Sequence, residues 1–380
     1  MTTDVLFYVQ HLLGVGHVKR AATLCRGFER AGLRVTVVLG GPLVDLADFG
    51  GAEIVQLPTA RAADTEFSAI LDEHGEPIDD TWRAGRRERL LAIYERTRPP
   101  VLLIELFPFG RRQFRFELLP LLEAAHGCSQ IACSVRDILV AKNKRERNRE
   151  VADTVNRYFD RVFVHGDPSV VPLDATFPET ESIRQRIAYT GYVAERDDGG
   201  SDGSAVTGEI IVSTGGGAVG ENLMRTAMAA RQAGWLAECP WRMLAGGNLD
   251  PTVFDDLREQ SPNGVTVERA RPDFRELLAN AALSISQGGY NTVIDVLAAG
   301  CPALVVPFAD GSESEQTHRA REFERHGLLH VLDEAVMTPE RLGRAAEAAI
   351  AAPPGAYDFD MSGAETTARM VAELVHGGEA

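Results

Sequence analysis

Leu283-Ser-Ile-Ser-Gln-Gly-Gly-Tyr-Asn-Thr-Val-Ile-Asp-Val-Leu-Ala-Ala-Gly-Cys-Pro-Ala-Leu-Val-Val-Pro307 decides the fold. An apolar strand ends at Ser286, Gly288-Gly289 supplies a turn, and a helix runs from Tyr290 to Ala299. Gly300 takes the left-handed cap position and Pro302 prevents continuation, so a second strand leads to Pro307. Strand, helix, strand in so short a span is a βαβ unit, which implies parallel strands. The paired glycines let a ligand approach the main chain, and the helix start offers N–H donors suited to a diphosphate. Asn291 and Thr292 lie four and three residues before Asp295, on one helix face. A carboxylate one turn into the helix is poor for phosphate but good for the two hydroxyls of a ribose. An ordinary βαβ unit does not need this combination.

The same grammar recurs outward from this segment. In the first half, Val5–Gln10 reads as a strand, Leu13-Gly-Val-Gly16 as a turn and Val18–Ala31 as a helix ended by Gly32. The strand Arg34–Leu39 then runs into Gly40-Gly41. In the second half, Glu209–Ser213 is a strand, Thr214-Gly-Gly-Gly217 a turn and Glu221–Gly234 a helix, before Trp241–Ala245 and Gly246-Gly247. Further strands are expected at Val101–Leu106, Ile131–Val135, Arg161–Val164, Val265–Val267 and Ala303–Val306, separated by helical patterns. Such alternation predicts an α/β fold with parallel sheets covered on both faces, and ligands at the strand carboxyl ends. The polar, glycine-rich stretch 195–208 reads as a linker. We therefore expect a first domain over 1–194 and a second over 209–380, whose last helix is free to cross back. Their sites would face each other across a cleft.

Composition narrows the function classes. The chain has 380 residues, with 39 Lys plus Arg against 55 Asp plus Glu, a net charge of −16. That balance argues against a nucleic-acid binder, which needs concentrated positive charge. The five cysteines are scattered without any C-x-x-C spacing, so neither a zinc knuckle nor a disulfide framework is expected. The amino terminus lacks a basic segment before its short apolar run, and the stretch Val293–Ala309 is interrupted by Asp295, Pro302 and Pro307. A cytoplasmic setting is the expectation. Asp358-Phe-Asp360 has the form of a metal-binding acid pair but follows Pro353-Pro354-Gly355 rather than a strand, so it reads as a solvated turn.

Gly215-Gly-Gly-Ala-Val-Gly220 satisfies G-x-G-x-x-G after a strand. A dinucleotide site also needs an acid closing the next strand, where this chain has Gly246-Gly247, and the first half fails the same test at Gly40-Gly41. Hydride transfer is accordingly set aside. His17, where the first strand passes into the first helix, is placed either to accept a hydroxyl proton or simply to pack or cap. Glu105 and Asp137 end expected strands and are reserve bases, with solvated loop carboxylates as the plainer reading. Cations concentrate in the first half at Arg83–Arg89, Arg111-Arg112 and Lys142–Arg149. They read as solvated helix faces or, with Phe107, Phe109 and Phe114 interleaved, as a surface for a phosphorylated or lipid-linked acceptor or a membrane face. His74, between Glu73 and Glu76, reads as part of a polar loop.

Ser286-Gln-Gly-Gly-Tyr-Asn-Thr-x-x-Asp295, Ala299-Gly-x-Pro302, Val306-Pro307-Phe308 and Glu315-Gln316 together resemble the C-terminal domain of family 28 glycosyltransferases. Gly14-x-Gly16-His17 after the first strand is similar to their N-terminal domain. The resemblance implies a GT-B architecture of two Rossmann-like domains. It implies a nucleotide sugar, UDP-linked, on the second domain and a small-molecule, glycan or lipid-linked acceptor on the first. It further implies inversion by direct displacement without a metal or other cofactor, and a cytoplasmic protein able to sit peripherally at the inner membrane face. By position, Gly215, Gly216 and Gly217 would lie against phosphate or sugar, and Arg269 beside the nucleobase. Gly288, Gly289 and Asn291 would meet the diphosphate, with Gln287 and Thr292 in the same donor set. Asp295 would hold the ribose, and Glu315 with Gln316 the donor sugar. Gly14 and Gly16 would belong to the acceptor side, with His17 as base. The chain departs from the family in having Asp295 where Glu is commoner, Gln287-Gly-Gly in place of an arginine-bearing turn, and Glu315 in place of Gln. An epimerase or hydrolase of nucleotide sugars, or a non-catalytic nucleotide-sugar binder, fits the same scaffold.

Overall fold

The computed structural model describes residues 3–12, 14–44, 47–64, 69–139, 145–194, 208–215, 220–308, 315–352, 355 and 359–377. Two compact units divide the chain, one of Met1–Val193 with Asp360–Ala380 and one of Ala194–Phe359. In the first unit the order is β1 (Val5–Val9), α1 (Gly16–Arg30), β2 (Val35–Leu39), β3 (Glu53–Gln56), β4 (Arg61–Ala62), β5 (Ile70–Leu71), α2 (Asp80–Thr97), β6 (Val101–Glu105), α3 (Arg115–Ala125), β7 (Gln130–Arg136), α4 (Arg145–Tyr158), β8 (Arg161–His165) and β9 (Ile187–Tyr189). The second holds β10 (Ile210–Ser213), α5 (Glu221–Gln232), β11 (Trp241–Ala245), α6 (Pro251–Glu259), β12 (Val265–Arg269), α7 (Phe274–Asn280), β13 (Leu283–Ser286), α8 (Tyr290–Ala298), β14 (Ala303–Val305), α9 (Glu315–Arg325), β15 (His330–Val331) and α10 (Pro339–Ala351). The last helix, α11 (Gly363–Gly377), returns to the first unit and packs on α1.

Each unit is built on a parallel sheet. The first has the order β3-β2-β1-β6-β7-β8-β9, and the second β12-β11-β10-β13-β14-β15. The second order is that of the dinucleotide-binding sheet, and the first extends it by one strand. Buried parallel strands need apolar side chains on both faces. In β1, Leu6 and Tyr8 enter one core while Val5, Phe7 and Val9 enter the other. The second core includes α1, whose Val18, Ala21, Ala22, Cys25 and Phe28 recur at helical spacing. Gly27 allows α11 to come close: a Cβ there would lie 3.0 Å from the Ala364 carbonyl oxygen.

The element boundaries expected from the sequence hold to within two residues at Trp241–Ala245, Leu283–Ser286 and the α8 helix. Gly300 has the left-handed backbone expected of it, with φ 63°. Residues 195–207 of the expected linker and residues 142–144 of the basic segment lie outside the described residues. One basic run needs correction. Arg86, expected on a solvated face, is fully buried in the first unit. Its Nε donates to Glu117 Oε2 at 2.8 Å, its Nη2 to Gln10 Oε1 at 2.5 Å, and its Nη1 to the Gly40 carbonyl at 3.0 Å. Tyr8 Oη completes the cluster by donating to Glu117 Oε1 at 2.5 Å.

Removing one member of a buried ion pair strands the other charge, at a cost of about 3–5 kcal/mol. Arg86→Met should therefore lower unfolding stability by about that much, while Arg86→Met with Glu117→Leu should recover a large part. Urea melts of both variants measure this, and an Arg86→Met variant as stable as the parent would show that the cluster is not a buried pair.

Candidate functional site

In a sheet of this order, the helices after the two central strands leave on opposite faces, so the carboxyl ends of those strands stay uncovered. In the second unit those strands are β10 and β13, with Ser213 opposite Ser286. Each ends in a glycine turn. Gly215 adopts φ 66°, and a Cβ on it would lie 3.4 Å from Thr292 Oγ1. The Gln287 N–H donates to the Ser213 carbonyl at 3.2 Å. The fold thus assembles Gly215, Gln287 and Thr292 from distant parts of the sequence.

Gly289 caps α8 in extended conformation and has no side chain to accept from the helix start. The first bond within the helix runs from the Val293 N–H to the Gly289 carbonyl, at 3.0 Å. The amides of Tyr290, Asn291 and Thr292 consequently have no acceptor inside their own helix. A Cβ on Gly289 would meet nothing within 4 Å among the described residues. Gly288 is different, because a Cβ there would crowd the Gln316 carbonyl oxygen at 3.0 Å. Asp295 lies one turn along α8, with its side chain 21% exposed and Oδ1 3.8 Å from Arg275 Nε. Asn291 and Thr292 are half-buried on the same helix.

Two expected side-chain roles are corrected here. Glu315, expected to face a sugar, is buried, and its Oε1 accepts from Arg319 Nη2 at 2.7 Å. Arg319, fully buried, also donates from Nη1 to the Gly288 carbonyl at 3.1 Å and lies over the Tyr290 ring. Glu315 and Arg319 therefore brace the glycine turn from behind. Gln316 accepts from the Phe308 N–H through Oε1, at 3.1 Å. Arg269, expected beside a nucleobase, donates from Nη1 to the carbonyls of Leu249 and Gly246, at 2.9 and 3.1 Å, and stacks on Phe254. Its guanidinium holds the loop between β11 and α6. Gly216, Gly217 and Asp358 lie outside the described residues. Asp360, partner of Asp358 in the acid pair, accepts from the Ser362 N–H at 2.8 Å just before α11.

The equivalent strands of the first unit are β1 and β6. Gly14 is exposed in the turn after β1, and Gly16 begins α1. His17 and Arg20 stand one turn apart on α1, and both meet Glu105, the last residue of β6. His17 Nδ1 is 2.9 Å from Glu105 Oε1, and Arg20 Nη2 donates to the same oxygen. Glu105, expected as a solvated carboxylate or a base in its own right, is fully buried and serves as partner to His17. Asp137 is likewise buried, with Oδ1 accepting from the Ile138 N–H at 2.8 Å. Neither carboxylate is displayed as a free base.

The protonation states follow from the surroundings. Burial opposes ionisation of Glu105, but the Arg20 guanidinium, with hydrogen bonds from His17 and Ser134, holds its carboxyl below the usual carboxylate range. An ionised carboxylate can only accept, so the Glu105 contact is a hydrogen bond when His17 Nδ1 carries the proton, whereas Arg20 Nη2, 3.2 Å from the same nitrogen, can only donate and favours the other tautomer. With Nδ1 protonated, Nε2 is the lone-pair nitrogen. Burial, followed by the charge of Arg111, pulls the His17 pKa down to about 3. The same two causes bring His11 to about 4, and burial with Arg20 brings His165 to about 3. Sequence reasoning missed Arg20, His165 and Arg319. Arg20 had a signal in its three-residue spacing from His17, and Arg319 in its four-residue spacing from Glu315, while His165 had none.

These depressed values fix a sign. Between the folded values and the ordinary histidine value near 6.5, the unfolded chain binds protons that the folded chain does not. Their contribution to stability is complete above about pH 6.5 and is lost as pH falls toward the folded values, each histidine adding up to about 1.4 kcal/mol per pH unit. Urea melts across that window should show falling stability, with a slope shallower by up to about one proton in His165→Gln. An unchanged slope would contradict a buried neutral His165.

Residues 245–373 match the model of the glycosyltransferase family 28 C-terminal domain. A UDP-N-acetylglucosamine--N-acetylmuramyl-(pentapeptide) pyrophosphoryl-undecaprenol N-acetylglucosamine transferase of Geobacillus kaustophilus is 28% identical over 188 residues, which cover 46% of this chain and 51% of that protein. The chain thus spans about half the length of this curated relative. Among solved structures, the calicheamicin glycosyltransferase CalG4 superposes with a TM-score of 0.59 at 19% identity, covering 100% of this chain and 96% of that one. MurG of Acinetobacter baumannii superposes with a TM-score of 0.58 at 15% identity, covering 98% of this chain and 99% of that one. Residues 245–373 are thus similar to the C-terminal domain of family 28 glycosyltransferases, and the chain shares the fold of the GT-B glycosyltransferases.

Proposed function

We propose that the protein transfers a hexose or N-acetylhexosamine from a nucleoside diphosphate, UDP by preference, to an acceptor hydroxyl. The observation that carries this reading is the amino end of α8, begun by Gly289 without a side-chain cap, brought beside Gly215 and Gln287 and followed one turn later by Asp295. Oriented amides beside uncrowded glycine suit a diphosphate, and a partly exposed carboxylate suits the ribose diol. The UDP-N-acetylglucosamine used by the Geobacillus relative favours a UDP-linked donor.

In this account the acceptor oxygen attacks the anomeric carbon as the carbon–diphosphate bond breaks, giving inversion. His17 Nε2 takes the acceptor proton, and the Glu105 carboxylate at Nδ1 stabilises the imidazolium that forms. Charge growing on the leaving diphosphate is met by the α8 amides and helix dipole, so the chemistry requires no divalent cation. Phe107, Phe109 and Phe177 line a pocket in the first unit together with Arg112 and Arg115, a mixture suited to an amphipathic anionic acceptor such as a lipid phosphate. Both arginines also pair with Glu150. No helix among the described residues is long and apolar enough to cross a membrane.

Calorimetric titration with UDP tests the donor site. Asp295→Ala should weaken UDP binding by about 10- to 100-fold, the range for losing a hydrogen bond to a charged group. His17→Gln should leave UDP affinity unchanged and lower transfer by about 100-fold or more. Failure of every nucleoside diphosphate to bind, or sugar release at the same rate with and without acceptor, would overturn the transferase reading.

A further inference from the structure

Glu105 is not the end of the hydrogen-bond chain that begins at His17. It pairs in register with Ser134 of β7, and Ser134 with Phe163 of β8. Directly opposed residues in parallel strands share a face, as do residues two apart, so Glu105, Ser134 and His165 line one face of the sheet. Thr190, just after β9, continues the row. Ser134 Oγ lies 2.5 Å from Glu105 Oε2 and 2.9 Å from His165 Nε2, and His165 Nδ1 lies 2.9 Å from Thr190 Oγ1. All four side chains belong to fully buried residues.

Their donor and acceptor roles are forced from one end. Glu105, ionised, can only accept, so Ser134 spends its one proton on it. The Ser134 oxygen is then free only to accept, which requires the proton of His165 on Nε2. His165 Nδ1 becomes the acceptor, and Thr190 donates to it. Thr190 alone has a choice, since the Gly191 carbonyl is 3.1 Å from its hydroxyl. Ser134 and His165 each have one proton order, and the row ends on the carboxylate that competes with Arg20 for the His17 Nδ1.

A buried polar row is costly compared with packed apolar side chains, so its position needs a reason. This row lies across the carboxyl ends of β6, β7 and β8, and its outer member is the histidine left partly exposed at the switch point. We propose that Ser134 and His165 are positioning residues: through Glu105 they lock His17 in the tautomer and orientation that present Nε2 to the acceptor hydroxyl. The proposal rests on the reading of His17 as the base. Without Ser134, the carboxylate loses one of its donors and can turn about its last bond, and the contact to Nδ1 loosens.

Nitrogen-15 spectra of the histidines in the whole chain test this without any substrate. The groups facing His17 are Glu105 on β6, Arg20 on α1 and Arg111 after the Phe107–Gly110 turn, and all three stay in place in the variants. His17, assigned with His17→Gln, should show a single tautomer with Nδ1 protonated. Ser134→Ala and His165→Phe should each mix the two tautomers and lower the His17 titration midpoint, because the Glu105 contact that raises it loosens. His165→Gln, which keeps an N–H donor for Ser134, should restore the parent spectrum. Circular dichroism and urea midpoints show which variants fold, and the two replacements at His165 serve if Ser134→Ala does not. Folded Ser134→Ala and His165→Phe proteins with the parent's His17 tautomer and titration would overturn the proposal. Loss of UDP binding would instead count against the transferase reading, because nucleotide is assigned to the other unit and leaves these spectra unaffected.

Discussion

Parallel strands whose following helices diverge to opposite faces leave main-chain amides and strand-end side chains that no element of the sheet covers. Both sheets of this protein contain one such place, at β1/β6 and at β10/β13. In the second unit, glycine stands at the turn before α8, and Gly289 supplies no side-chain cap to the start of that helix. In the first unit the gap holds a histidine backed by a buried carboxylate. The difference in chemistry follows from which residues end the strands, since the two topologies are nearly the same.

Three buried ion pairs hold this arrangement. Arg86 with Glu117 ties α2 and α3 to the end of β1 through Tyr8 and Gln10. Arg20 with Glu105 ties α1 to β6. Arg319 with Glu315 fastens α9 to the turn before α8 through the Gly288 carbonyl. Each pair carries further hydrogen bonds to backbone or side-chain oxygens, which is what makes a buried charge tolerable. The last pair also places a cation behind a turn that lacks the arginine expected by resemblance.

Local patterns were legible in the sequence. Leu283–Pro307 announced its strand, turn, helix and cap because each rests on neighbouring residues: Gly300 is read from the helix it ends, and Pro302 from the strand it starts. The short edge strands β3 and β15 were not read, because exposed or half-buried residues such as Glu53 and His330 leave little alternation. The sites were legible only by half. Asp295 and the glycines could be placed because spacing along one helix and one turn fixes them. The roles of Glu105, Glu315, Arg269 and Arg86 could not, because each depends on a partner brought in by the fold: Glu105 and His17 are 88 positions apart, and Arg86 and Glu117 are 31 apart. A charged residue in sequence looks solvated until its partner is known.

The central claim is that the amino end of α8 receives the pyrophosphate. Hydrogen–deuterium exchange of the whole protein, followed by mass spectrometry with and without UDP, tests it directly. The account predicts slowed exchange concentrated in peptides that carry the amides of Tyr290, Asn291 and Thr292. Slowed exchange elsewhere in the chain, with those three amides unchanged while UDP is bound, would contradict it.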